Sequence, residues 1–397
     1  PPAPADSATR AYEEARYAEA ARLGLAEIQQ RPGDHDLRLR LANSLAWTGD
    51  YPRAIEHYGA LAGTRLAREG RLGIAHVRLW SGRPELADPL FRSVLAQEPG
   101  HVEARAGLAA AGRHLRPRST VQLGHVGDSS EARRSSLTLS HRWWHPDLAQ
   151  VFELTAEGRH ETDAPGQVSL NPRELGLRYE HRGLSWAPQL QVTAQQQPQT
   201  RLFGEAGVRL LDGSLSLRAG RVNWGQLAFS PRALQDGLTA RLIELGAQAD
   251  HRSGQWQGQW TRYAVSDGNR IDDASLRVTP AWQPLPARLG LKAFAGLSAR
   301  RAERAEARYW SPADGHYTAN LGLAWGRWEA QWELQGELKR SQRLGGEGAN
   351  GWALSAGGKR WLSADWALRA EASHETTRRG QSSYRATSVL AALEKLW

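Results

Sequence analysis

With 397 residues the chain is long enough for two domains with cores of their own. Its mean hydropathy is -0.58, and no apolar run approaches the ~20 residues a membrane-crossing helix needs, which excludes that class but not alternating membrane strands. The charge of +9 comes mainly from scattered Arg without a basic cluster, which argues against nucleic-acid binding, and the absence of Cys fits passage through an oxidising periplasm. The opening Pro-Pro-Ala-Pro without Met fits a mature chain that has lost a signal peptide.

Residues 6–115 carry apolar residues at helical spacing. Around a Gly-Asp-Tyr turn stand Leu41, Ala42, Gly49, Tyr51, Ala54 and Tyr58, and the set returns as Ile74, Ala75, Gly82, Ala87, Phe91 and Pro99. An earlier copy supplies Tyr17, Ala20 and Pro32. Tyr17 and Tyr51 are 34 residues apart, and Gly49 and Gly82 are 33 apart. This is similar to the tetratricopeptide pattern, in which antiparallel helix pairs pack through small residues. About three repeats and one further helix, His101 to Arg113, are expected, forming a helical solenoid with a groove able to dock a partner.

From Ser119 onward the pattern changes to alternating apolar and polar residues, as strands with one apolar and one polar face require. Strands are expected near 119–127, 135–144, 148–160, 173–182, 184–195, 202–211, 214–222, 238–250, 255–265, 274–282, 288–300, 315–326, 328–339, 351–361, 365–375 and 384–397. Connections alternate tight turns, such as His145-Pro146-Asp147, Asp212-Gly213, Arg252-Ser253-Gly254 and Gln283 to Ala287, with the longer stretches 223–237, 301–314 and 340–350. Short periplasmic turns and long external loops are the signature of an outer-membrane barrel. The expected fold is therefore a two-domain α + β chain. Helical repeats occupy 1–117, in the periplasm, and a 16-stranded antiparallel transmembrane β-barrel occupies 118–397, in a bacterial outer membrane.

Alternation assigns the faces. Leu175, Leu177 and Tyr179; Trp186, Leu190 and Val192; Tyr317, Leu321, Leu323 and Trp325; the Trp328 face of strand 328–339; and Trp366, Leu368 and Ala370 are expected toward lipid. The opposite faces put Arg178, Glu180, Arg182, Gln191, Arg209, Arg369 and Glu371 in the lumen, with an acidic stripe of Glu329, Glu333 and Glu337. Amides, carboxylates and guanidinium groups together offer a hydroxyl-rich polymer both donors and acceptors. Charge pairs bracing the wall are the competing explanation for each such residue. His141, His181, His251 and His374 stand singly without metal-ligand spacing, Asp272-Asp273 is placed in an external loop, and no Ser-His pair is visible. No enzymatic activity, metal or cofactor is expected.

Helical repeats followed by a sixteen-stranded barrel resemble the outer-membrane exopolysaccharide-secretion porins of the poly-N-acetylglucosamine, cellulose and Pel type, and the shorter YaiO-like barrels. Asp267 and Asn269 within Ser266–Arg270, and Tyr309 and Trp310 before Ser311-Pro312, look like external-loop motifs of these barrels. The resemblance implies a pore that passes exopolysaccharide outward, with repeats docking polymer or periplasmic and inner-membrane synthesis components, and insertion by the barrel-assembly machinery. The repeat array is shorter than in dedicated exporters. A YaiO-like receptor or envelope scaffold with an occluded barrel is the alternative.

Overall fold

A computed structural model describes residues 7–163, 167–196, 198–251, 253–283, 290–329, 331–347, 350–379 and 382–397. Of the expected turns, Arg252 and most of Gln283 to Ala287 lie outside the described residues. Packing separates two compact units, one ending at Arg116 and the other beginning at Pro117.

The first unit is a run of helices, α1 (Ser7–Glu13), α2 (Tyr17–Gln30), α3 (His35–Trp47), α4 (Tyr51–Gly59), α5 (Ala67–Trp80), α6 (Pro84–Gln97) and α7 (Val102–Leu115). Two of the starts have a plain local cause. Asp34 and Asp50 accept from Leu37 N and Arg53 N, satisfying exposed amides at the first turns of α3 and α4. Equivalent turns after α3 and α5 place Gly49 (φ 87) and Gly82 (φ 72) in the left-handed region, where a Cβ is disfavoured. Packing repeats too: a Cβ at Gly73 would meet the Tyr58 ring at 2.4 Å, and one at Gly107 the Phe91 ring at 2.4 Å. Small residues on one helix thus admit aromatic residues from the one before. The cores centre on Leu37, Leu41, Leu45 and Tyr58, and on Ala75, Ala87, Phe91 and Val94.

Two half-buried imidazoles give this unit an acid sensitivity. Burial lowers the pKa of His57, with Arg38 adding to the effect. Burial also lowers that of His76, with Glu103 opposing. Protonation is then harder in the folded than in the unfolded chain, so stability is full above about pH 6.5 and declines as pH falls below it. Helical circular dichroism during thermal melts should show a lower midpoint at pH 5 than at pH 7.5. The double variant His57→Gln, His76→Gln should lose most of that difference.

The second unit is one sheet of β1 (Arg118–Asp128), β2 (Arg133–Trp144), β3 (Gln150–Asp163), β4 (Val168–Leu170), β5 (Arg173–His181), β6 (Pro188–Gln196), β7 (Arg201–Leu210), β8 (Leu215–Asn223), β9 (Thr239–His251), β10 (Gly254–Val265), β11 (Arg270–Pro280), β12 (Leu291–Ala302), β13 (His316–Trp328), β14 (Trp332–Gly346), β15 (Gly351–Trp361), β16 (Trp366–Arg379) and β17 (Ser382–Leu396). Neighbours pair antiparallel, and β17 returns to β1 with Arg118 opposite Leu396, which closes the sheet. Both β4 and β5 pair with β3, at Glu161–Asp163 and Gln150–Gly158 respectively, so the seventeen segments make a sixteen-stranded barrel. Closure leaves no sheet edge, the condition for strands to cross a bilayer.

Outward positions form an apolar band. Cross-strand pairs such as Leu123–Leu137, Leu154–Leu177, Leu217–Leu245 and Leu338–Leu354 lie on it. The leucines of these pairs are 38–59% exposed, from Leu338 to Leu123, a surface fit for lipid rather than water. At the end where β1 begins, Trp143, Phe152 and Tyr179 stack in succession at 5.6 and 5.3 Å, and the Lys395 ammonium sits 5.1 Å from the Trp366 ring. This is an aromatic girdle with a cation at its rim. The charges near the C-terminus also find places: Glu394 turns inward to Lys359 (2.6 Å) and Arg118 (3.4 Å), while Lys395 turns outward.

Three expectations change. The segment 328–339 is not one strand: Trp328 ends β13, a turn follows, and β14 begins at Trp332. Ala330 of this turn lies outside the described residues. Trp328 therefore falls on the inward face, opposite Glu333, instead of the lipid face. The long loop expected at 340–350 is mostly strand, since Ser341 and Arg343 pair with Asn320 and Thr318. Trp186 precedes β6, which begins at Pro188 rather than 184.

Candidate functional site: a lumen narrowed by an infolded loop

The connection after β8 is built to fold inward. Asn223 Oδ1 accepts from Gln226 N at 3.2 Å, starting a short helix at Trp224–Leu227. Ser230 Oγ accepts from Ala233 N at 3.2 Å, and Pro231 opens a second, Pro231–Gln235. Between them Trp224 is 1% exposed, with its ring 5.1 Å from Tyr263 and 5.3 Å from Tyr309. Leu238, Leu242, Ile271 and Ala302 complete this cluster. On the other wall Arg134 of β2 donates to Gln226 O (3.1 Å) and lies over the Phe229 ring (5.0 Å), while Arg232 pairs with Asp163 at 2.5 Å. The segment thus reaches inward-facing residues of β2 and β3 on one side and β10 to β12 on the other. It bridges the barrel mouth.

A second long loop, 303–315, clamps the first. Arg308 pairs with Asp236 (3.2 Å), Asp267 (3.1 Å) and Glu306 (2.9 Å), one residue from each of three loops. Tyr309 Oη donates to Asp267 (2.9 Å), and Asn269 Nδ2 donates to Tyr309 Oη (3.2 Å) and Arg304 O (3.0 Å). The loop residues singled out in the sequence, Asp267, Asn269 and Tyr309, are therefore one hydrogen-bonded knot. Burial and the Asp267 carboxylate raise the pKa of Tyr309, against an opposing hydrogen bond from Asn269. Hydrogen bonds from Arg308 hold the Glu306 carboxylate at about 2. A depressed carboxylate contributes its clamp energy above its unfolded pKa, about 4.5, and loses it as pH falls toward 2. Channel recordings should accordingly show a quiet clamp at pH 5–8 and frequent opening transitions below about pH 3.

The two halves of the lumen wall differ. From β2 to β9 the inward face is an ion-pair lattice. Arg159 touches Glu157 (3.2 Å), Glu161 (3.0 Å) and Glu174 (2.7 Å), Arg134 touches Glu161 (3.1 Å), and Arg218 joins Glu205 (2.9 Å) to Glu244 (2.7 Å). From β11 to β17 the inward face sets a row of hydroxyls and amides among its ion pairs: Ser341 Oγ donates to Asn320 Oδ1 (2.7 Å), Asn320 Nδ2 to Ser298 Oγ (2.9 Å), and Ser373 and Ser388 hydroxyls meet at 2.7 Å. Three adjoining cavities of about 380, 370 and 590 Å³ lie along this second half and β1–β2. The first shares Lys339 and Glu375 with the second, which shares Ser355, Ser373 and Ser388 with the third. They trace a route past the infolded loop.

The sequence-predicted lumen residues fall into distinct settings. Arg178 and Gln191 line a separate cavity of about 240 Å³ that also reaches Gln226 of the loop. Glu180 is held by Arg182 (3.2 Å) and Arg209, a wall brace, with Arg182 just beyond β5. Arg369 and Glu371 pair with each other at 2.5 Å, and Glu371 faces the route. The acidic stripe is broken up. Glu329 lies in the turn, paired with Arg327 (2.7 Å); Glu333 stands opposite Lys359; Glu337 receives Arg277 (2.7 Å). Arg277 crosses over the Phe294 ring at 3.6 Å to get there. Asp272-Asp273 is not a loop but part of β11: Asp272 pairs outward with Arg262 (2.8 Å), and Asp273 faces the lumen beside Arg300 (3.4 Å). Trp310 lines the first cavity. The serine and asparagine face escaped sequence reasoning; its signal was small polar residues at alternate positions among Leu and Ala.

The apolar exterior, closed sheet and polar interior decide the class. The second unit is a porin-like, channel-type barrel. No family model matches the chain, and no curated protein matches it. Among solved structures it is similar to OccK11 (OpdR) of Pseudomonas aeruginosa at 10% identity and TM-score 0.35, over 71% of this chain and 96% of that one. OpdK of the same organism shares 7% identity at TM-score 0.38, over 71% and 99%. A BenF-like porin from Pseudomonas fluorescens Pf-5 shares 8% at TM-score 0.39, over 71% and 98%. Likenesses this loose carry no argument about substrate, which has to come from the wall itself.

Proposed function

We propose that the protein is an outer-membrane channel for secretion of an exopolysaccharide, with the helical unit as a tetratricopeptide-like platform that docks polymer or synthesis and modification components in the periplasm. The observation that carries this reading is the run of adjoining cavities walled by Ser298, Asn320, Ser341, Ser355, Ser373 and Ser388. Hydroxyls and amides each donate and accept, so they exchange hydrogen bonds with successive sugar hydroxyls without holding any one tightly. Passage needs that looseness. A strain lacking the protein should retain polymer in its envelope and release less to the medium. Normal secretion by the deletion strain would reject the reading.

One observation favours a second reading, a receptor or scaffold with an occluded barrel: the loop Trp224–Leu238 is tied to both walls and clamped by Arg308. In that case the purified protein in a planar bilayer would pass no resolvable current.

A further inference from the structure

We infer that the cavity beneath Trp310 is a binding station for an uncharged, hydroxyl-rich sugar segment, an inference that rests on the export reading above. At about 380 Å³ the space lies in the lower part of the range that small-molecule sites occupy. It combines the elements that hold a sugar. Trp310 supplies an aromatic wall, kept in one orientation by edge contact with His316 (centroids 5.1 Å, 84°) and by the Arg300 guanidinium 4.9 Å from its ring. A wall fixed before the ligand arrives costs less to order on binding. The Ser298–Asn320–Ser341 hydrogen-bonded row lines the same cavity.

The charges indicate which sugar. Four ionic side chains face the cavity, Asp273 and Glu375 against Arg300 and Lys339. Asp273 and Arg300 are paired, and Lys339 and Glu375 flank Ala353 on neighbouring strands. Their sum is zero. A polyanion entering here meets two carboxylates, and a polycation meets an ammonium and a guanidinium, so a neutral chain is the ligand without a like-charge penalty. Asp273 Oδ2 accepts from Arg300, so this carboxylate is already engaged by the wall.

The test uses the full-length protein in planar bilayers, reading block of the ionic current by three probes: cellohexaose (neutral), a chitosan hexamer (cationic) and a hexaguluronate (anionic). Cellohexaose should block at concentrations about tenfold lower than either charged probe. Trp310→Ala should weaken that block about tenfold, and Trp310→Phe should keep most of it. Heat-modified gel mobility identifies variants that fail to fold, and the Phe variant then carries the comparison. Block by cellohexaose that is unchanged in Trp310→Ala would overturn the station while leaving export intact. Stronger block by a charged probe would overturn its neutral preference. Absence of block by all three, together with normal secretion by the deletion strain, would overturn station and export reading alike.

Discussion

Trp224→Ala should release the infolded loop and raise single-channel conductance, one of two large effects expected from single substitutions. The indole is 1% exposed and packs on Tyr263 and Tyr309, where the loop meets the wall of β10 to β12. Truncating a buried Trp to Ala removes about 3–5 kcal/mol of packing. The loop is a local unit, so the loss acts on its docking rather than on the sixteen-stranded closure. At about 1.4 kcal/mol per tenfold, the undocked population should rise by two to three orders of magnitude. The contacts on the far side, from Arg134 to Gln226 and from Arg232 to Asp163, remain but are single polar links in a wet lumen. Recordings of the variant should show a higher mean conductance and added current noise. Trp224→Phe, which keeps a ring against Tyr263, should fall between the two.

Arg159→Met is the second. The Arg159 side chain is 1% exposed and touches Glu157, Glu161 and Glu174, with side chains 21%, 0% and 9% exposed. Removing the cation leaves adjacent carboxylates with one fewer partner in a dry part of the wall. Breaking a buried ion pair from one side costs about 3–5 kcal/mol, because the remaining charge is uncompensated. The loss should appear as a lower urea midpoint for conversion of the folded to the unfolded gel band. Arg262→Ala breaks the exposed pair with Asp272 on the outer face and should leave the midpoint nearly unchanged. The loop should respond as well. Oriented to satisfy both neighbours, the Gln226 amide donates to Glu174 at 3.0 Å and accepts from Arg159, so Arg159→Met should also increase gating noise.

The barrel was legible in the sequence because alternation is a local property: the outward Leu175, Leu177 and Tyr179 and the inward Arg178 and Glu180 follow from the period of two. Turns were legible where they carry turn chemistry, as at Asp212-Gly213. Glu329-Ala330-Gln331 carries none, and alternation runs on through it, so the sequence hid the turn and Trp328 changed faces. Charge and Gly in 340–350 suggest a loop, yet cross-strand partners on β13 extend β14 to Gly346. The site was less legible still. That Trp224 lies inside the lumen depends on Tyr263 and Tyr309, which are distant in sequence. That Asp267, Asn269 and Tyr309 form one knot depends on Arg308 meeting three loops. Asp273 has the local sequence of a solvated loop, and only pairing with β10 and β12 turns it inward. Long-range packing of this kind has no local periodic signature.

A water-filled route along the serine-lined half of the barrel, past the infolded loop, can be probed directly. The chain contains no Cys, so single-cysteine variants report without background. Ser355 faces the shared cavities, and its neighbour Leu354 is 50% exposed on the outer, apolar face. In planar bilayers, a charged methanethiosulfonate should step the current of Ser355→Cys channels downward and leave Leu354→Cys channels unchanged. A measurable current through Ser355→Cys that the reagent does not alter, or no current at all, would contradict the route.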